Sequence, residues 1–153
     1  SYPQQKARFD QLTPSYFKVL QQKNAVDDFG NTIIFIQKYY RFLFIQDPTH
    51  AEQWLKQQHA FIENYRKHTA QLSQREKEFL AGYYAVNRQF DLAMYYLDQI
   101  DPKDDDATAV QDFKVTDPLY ANIRFRPEFQ TWLNHYENQY VAEQPKQCRI
   151  KTL

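Results

Sequence analysis

Two neighbouring runs, Phe79-Leu80-Ala81-Gly82-Tyr83-Tyr84 and Asp91-Leu92-Ala93-Met94-Tyr95-Tyr96-Leu97-Asp98-Gln99-Ile100, constrain the fold more than any other stretch of the chain. Small residues at Ala81 and Ala93 sit among the large apolar Leu80, Tyr84, Leu97 and Ile100. That size pattern lets two antiparallel helices approach closely around a short turn, for which Asn87-Arg88-Gln89 is available. Ser73 followed by Glu76 is a capping box that starts the first of these helices.

The same punctuation marks helices along the rest of the chain. Thr13-Pro14 reads as a cap followed by proline at the first helical position, with Tyr16, Phe17 and Leu20 as its apolar stripe and a looser helix around Ala7 to Leu12 before it. Asn24 to Gly30 reads as a connection. The segment from Thr32 to Gln46 is ambiguous by type: Ile33, Ile34, Phe35 and Ile36 favour strand by propensity. Its periodicity favours helix, because Gln37, Lys38 and Arg41 gather on one face and Ile33, Ile36, Tyr40, Leu43 and Phe44 on another. We read it as a buried helix. Asp47-Pro48 then closes that element and caps the next, a single helix from about Thr49 to His68 with Trp54, Leu55, Phe61, Ile62 and Tyr65 as its stripe. Lys103 to Asp106 reads as a solvated acidic loop, Ala107 to Lys114 as a short helix, and Pro127 to Glu143 as a long final one carrying Phe129, Trp132, Leu133, Tyr136 and Tyr140. The expectation is one domain over residues 1–144 and a loose tail over 145–153.

Composition supports an all-α chain. Only Gly30 and Gly82 are glycines, too few for the tight turns of an all-β fold. Twelve Tyr and 12 Phe are enough to fill a helical core and leave tyrosines for a wet surface. With 19 basic against 19 acidic residues and no long basic run, direct nucleic-acid binding is not expected. The longest wholly apolar stretches, Ile33 to Ile36 and Phe42 to Ile45, fall far short of the roughly 20 residues a membrane span needs. Nothing at Ser1 reads as a signal peptide, although a piece cut from a longer protein would have lost one.

The residues that invite chemistry have plainer readings. His59 and Glu63 are one helical turn apart, yet His50, His68 and His135 are scattered, so no metal site is expected. Asp101, Asp104, Asp105, Asp106 and Asp112 lack the glycine and closing glutamate of a calcium loop. Cys148 has basic neighbours but no evident base, and two glycines build neither a phosphate loop nor a nucleophile elbow. No catalytic residue, metal or cofactor is assigned.

Two resemblances add context. Taken from Gln74, the positions of Leu80, Ala81, Tyr84, Ala93, Leu97 and Ile100 resemble the packing positions of a tetratricopeptide repeat. Lys77 stands where the family usually has an aromatic residue, and Pro102 falls about three residues before its terminal proline. Further on, Val115-Thr116-Asp117-Pro118-Leu119-Tyr120, Ile123-Arg124-Phe125-Arg126-Pro127-Glu128-Phe129 and Trp132-Leu133 resemble the closing segment of bacterial repeat proteins that follow a signalling domain, namely adenylate-cyclase-like proteins and membrane-anchored winged-helix transcription regulators. Arg126 and Glu128 invert that segment's usual charges.

The resemblances imply tetratricopeptide-like stacked hairpins of about six or seven helices that bind rather than catalyse. In that family the first helix of each hairpin lines the concave face, which maps to Arg75, Glu78, Gly82, Ala85 and Val86, with Tyr83 beside them. Arg75, Glu78, Gly82, Tyr83 and Val86 are therefore the expected contacts for a protein or peptide partner, or for self-association. Gly82 singles out this face, since a helix glycine marks close approach by a partner or by an adjacent helix of the same chain. The alternative is a small-molecule sensor with a pocket lined by Tyr and Phe. The compartment is open: periplasmic in a membrane-anchored regulator, cytoplasmic in a soluble cyclase.

Overall fold

Side-chain caps begin the helices that follow Asp47 and Ser73. The computed structural model describes Gln4, residues 29–105 and residues 107–142. Among these residues are seven α-helices and no strand, an all-α fold. The helices are α1 (Phe29–Gln46), α2 (Pro48–Gln57), α3 (His59–His68), α4 (Gln74–Val86), α5 (Phe90–Leu97), α6 (Ala107–Gln111) and α7 (Pro127–Ala142). Short 3-10 turns lie at Pro102–Asp104 and Pro118–Tyr120, and a π-helical turn at Asp112–Thr116 continues α6. The described residues fall into two compact units, divided between Gln71 and Leu72. Of the connection expected from Asn24 to Gly30, Phe29 and Gly30 already belong to α1; the rest of it, the expected helix after Thr13-Pro14, Asp106, Cys148 and the 145–153 tail lie outside the described residues.

In the first unit, periodicity prevails over propensity in α1. Ile33, Ile36, Tyr40 and Leu43 recur every three or four residues and are buried, while Lys38 and Arg41 are exposed. A strand would have sent neighbouring isoleucines to opposite faces, whereas the helix gathers a continuous apolar stripe for α2 to cover. Tyr39 meets Trp54 of α2 edge to face, with centroids 4.7 Å apart. Asp47 caps α2 by accepting from the backbone N–H groups of Thr49 at 3.1 Å and His50 at 3.4 Å.

The single helix expected from Thr49 to His68 is broken at Gln58. This residue leaves helical geometry (φ −87°, ψ 3°), and its N–H turns to the Leu55 carbonyl at 3.0 Å. Its side-chain amide donates to the carbonyl of Trp54 at 3.0 Å, satisfying an acceptor that the break exposes. Glu63, weighed as a metal ligand with His59, accepts two hydrogen bonds from Arg66.

In the second unit the capping box at the start of α4 is present in both directions, Glu76 N–H to Ser73 Oγ at 3.2 Å and Ser73 N–H to Glu76 Oε1 at 3.3 Å. Helices α4 and α5 pack along their length as a hairpin, and Ala81 and Ala93 are both fully buried in it. The hairpin turn ends α4 with a Schellman motif: Gln89 N–H reaches the Tyr84 carbonyl at 2.9 Å and Arg88 N–H the Ala85 carbonyl at 3.1 Å. Arg88 occupies the left-handed position of that motif at φ 60°, a place that favours glycine.

Candidate functional site

Glu78, Gly82 and Val86 are four residues apart and so form one stripe along α4. This stripe is not open. The segment from Asp117 to Ile123 lies along it, touching all three positions. The Tyr120 hydroxyl donates to the Glu78 carbonyl at 2.7 Å, and the Asn122 side-chain amide donates to the Val86 carbonyl at 3.2 Å. Between these two bonds Leu119 sits on Gly82, so closely that a Cβ on Gly82 would be 2.8 Å from Leu119 Cβ and 3.2 Å from its Cδ1. Real Cβ atoms do not approach so near, and the missing Cβ of glycine is what makes room for the Leu119 side chain.

Of the residues expected to contact a partner, Arg75 is exposed and Glu78 half-buried, while Gly82, Tyr83 and Val86 are buried. The Tyr83 ring packs between Phe79 and Tyr84, at centroid distances of 6.5 and 5.1 Å. The α4 face is therefore a contact face, as the glycine implies, but the chain's own later segment fills it. The correction has a physical cause: Leu119 is fully buried there, and exposing the stripe would return its side chain to water.

A buried arginine holds the covering segment in place. Asp117 caps the 3-10 turn of Pro118–Tyr120 by accepting from Leu119 N–H at 3.0 Å. Arg124 then turns its guanidinium back under the segment and donates to three backbone carbonyls: Phe113 at 3.0 Å, Asp112 at 3.3 Å and Asp117 at 2.7 Å. Asp112 and Phe113 open the π-helical turn, whose closing bond runs from Asp117 N–H to the Asp112 carbonyl at 3.0 Å. One side chain thus ties the π turn to the 3-10 turn that covers Gly82. Burial lowers the Arg124 proton affinity and the nearby Asp117 carboxylate opposes that shift.

Aromatic rings fill the space behind the clamp. Phe113 meets Tyr120, Trp132 and Tyr136 edge-on, with centroids 5.0, 5.1 and 5.5 Å away. Each polar tip finds an acceptor, as buried aromatics require. The Trp132 indole N–H donates to the Leu97 carbonyl at 3.0 Å, and the Tyr136 hydroxyl donates to the Asp105 carboxylate. In the acidic loop Lys103 and Asp104 are exposed while Asp105 is held by Tyr136, and just before the loop Gln74 holds both backbone groups of Asp101, at 3.0 and 3.2 Å. Burial pushes the Tyr120 and Tyr136 hydroxyls well above the usual phenol range, Asp117 adding to the first and Asp105 to the second. Both serve at neutral pH as fixed hydrogen-bond donors.

On the surface beside this clamp, Phe125 is 85% exposed. Both of its neighbours are fixed. Arg124 is clamped as described, and Arg126 places its guanidinium 4.1 Å from the Phe90 ring centroid while its Nε donates to Glu128 at 2.6 Å. The signal in the sequence for Leu119, Arg124 and Phe125 is the closing-segment resemblance, which contains all three but assigns none of them a role. No protein-family model, curated protein or solved structure matches this chain.

Proposed function

We propose that this chain is a non-catalytic binding domain of a bacterial regulator, built on a tetratricopeptide-like hairpin, that recognises a protein or peptide partner or a second copy of itself through the turn bearing Phe125. The closing-segment resemblance supplies the regulator context, and the repeat-like spacing of α4 and α5 supplies the hairpin. The observation that carries the reading is the 85% exposure of Phe125 on a turn fixed from both sides. Single exposed apolar residues are ordinary on protein surfaces, so exposure alone does not carry the reading. Here the backbone on each side is already ordered, so little entropy is lost when a partner takes up the ring. Enclosing one phenylalanine in a partner's pocket contributes about 1.5–3 kcal/mol, the scale of an interface anchor. The turn is preferred to the face of α4 because Leu119 already lies against Gly82 there.

The test replaces Phe125 with a photo-crosslinking phenylalanine analogue in the intact protein in its native cell, with the exposed Gln139 of α7 as the control position. Adducts to one defined protein species are expected from position 125 and not from 139. Phe125→Ser should abolish that association and leave the melting temperature within about a degree of the parent, since a surface substitution of this kind changes stability by less than ~0.5 kcal/mol. Equal crosslinking from both positions, or association unchanged in Phe125→Ser, would rule out this turn.

A further inference from the structure

We draw no further inference here: the strongest candidate, the outer face of α5 where Leu92 and Tyr95 are 41% and 61% exposed, is an apolar patch of two side chains, too small alone for the roughly 1,200 Å² a stable interface buries, and nothing in the structure shows what covers it.

Discussion

Replacing Gly82 with alanine tests the packing of the second unit at its tightest point. In an open helix this change stabilises, because alanine loses less backbone entropy than glycine, by about 0.5–1 kcal/mol. Here the new Cβ would lie 2.8 Å from Leu119 Cβ, against the 3.5–4.0 Å at which carbon atoms attract. One side or the other must retreat by about 0.7 Å or more. Leu119 is poorly able to do so. The offending atom is its Cβ, not the far end of a flexible chain, and its backbone is pinned by Asp117 on one side and by the Tyr120–Glu78 and Asn122–Val86 bonds one helical turn above and below. Overpacking of this kind costs about 1–3 kcal/mol, so after the propensity gain the net expectation is a loss of up to about 2.5 kcal/mol.

Urea unfolding of the full chain measures this, with Trp54→Phe as background so that Trp132 fluorescence reports the second unit alone. Leu119→Ala is an uninformative partner substitution, since it keeps the Cβ that clashes. Leu119→Gly removes it, and in that background Gly82→Ala should regain its ordinary stabilising sign, giving a coupling energy above about 1 kcal/mol. A Gly82→Ala protein as stable as the parent, or more so, would refute the reasoning. The α4 face would then be open in solution and again available to a partner.

Arg88→Gly should stabilise the chain by about 1 kcal/mol in the same urea assay, because φ 60° suits glycine and strains arginine. Arg124→Met should destabilise it by about 3 kcal/mol or more, as three buried carbonyls lose a charged donor at about 1–3 kcal/mol each with partial relaxation; a loss below about 1 kcal/mol would show that water replaces the guanidinium. The raised Tyr120 and Tyr136 hydroxyls set the alkaline limb. A folded-state pKa above the unfolded value near 10 gives stability that is complete below about pH 10 and is lost as pH rises beyond it, so Tyr136→Phe should flatten the decline between about pH 10 and 12 in thermal melts. At the acid end Arg126 holds the Glu128 carboxyl below its usual value. Its contribution is present above about pH 4.3 and fades as pH falls through the lowered value, and Glu128→Gln should remove that part of the acid slope at low ionic strength.

What the sequence discloses about this fold is governed by distance along the chain. The Ser73–Glu76 box, the Asp47-Pro48 cap and the turn at Asn87-Arg88-Gln89 are each complete within a few residues, and each appears where its residue types require. The helix of α1 is also legible, because its stripe is long enough for a period of 3.6 to be told from one of 2. The break at Gln58 is not. It depends on a single amide competing for one carbonyl, a contest that helix propensity does not register. The covering of Gly82 is illegible for a different reason. The glycine announces that something comes close, but an adjacent helix, a later segment of the same chain and a foreign partner all require the same missing Cβ. Leu119 is 37 residues further on, and nothing within α4 names it. The information that decides the matter resides in the covering segment: Asp117-Pro118 preforms a tight turn, and Arg124 is too costly to bury without carbonyls gathered around it. In this chain the hairpin face bearing Gly82 and the later Asp117-Pro118 turn with Arg124 behind it are two halves of one contact, and the face is filled from within.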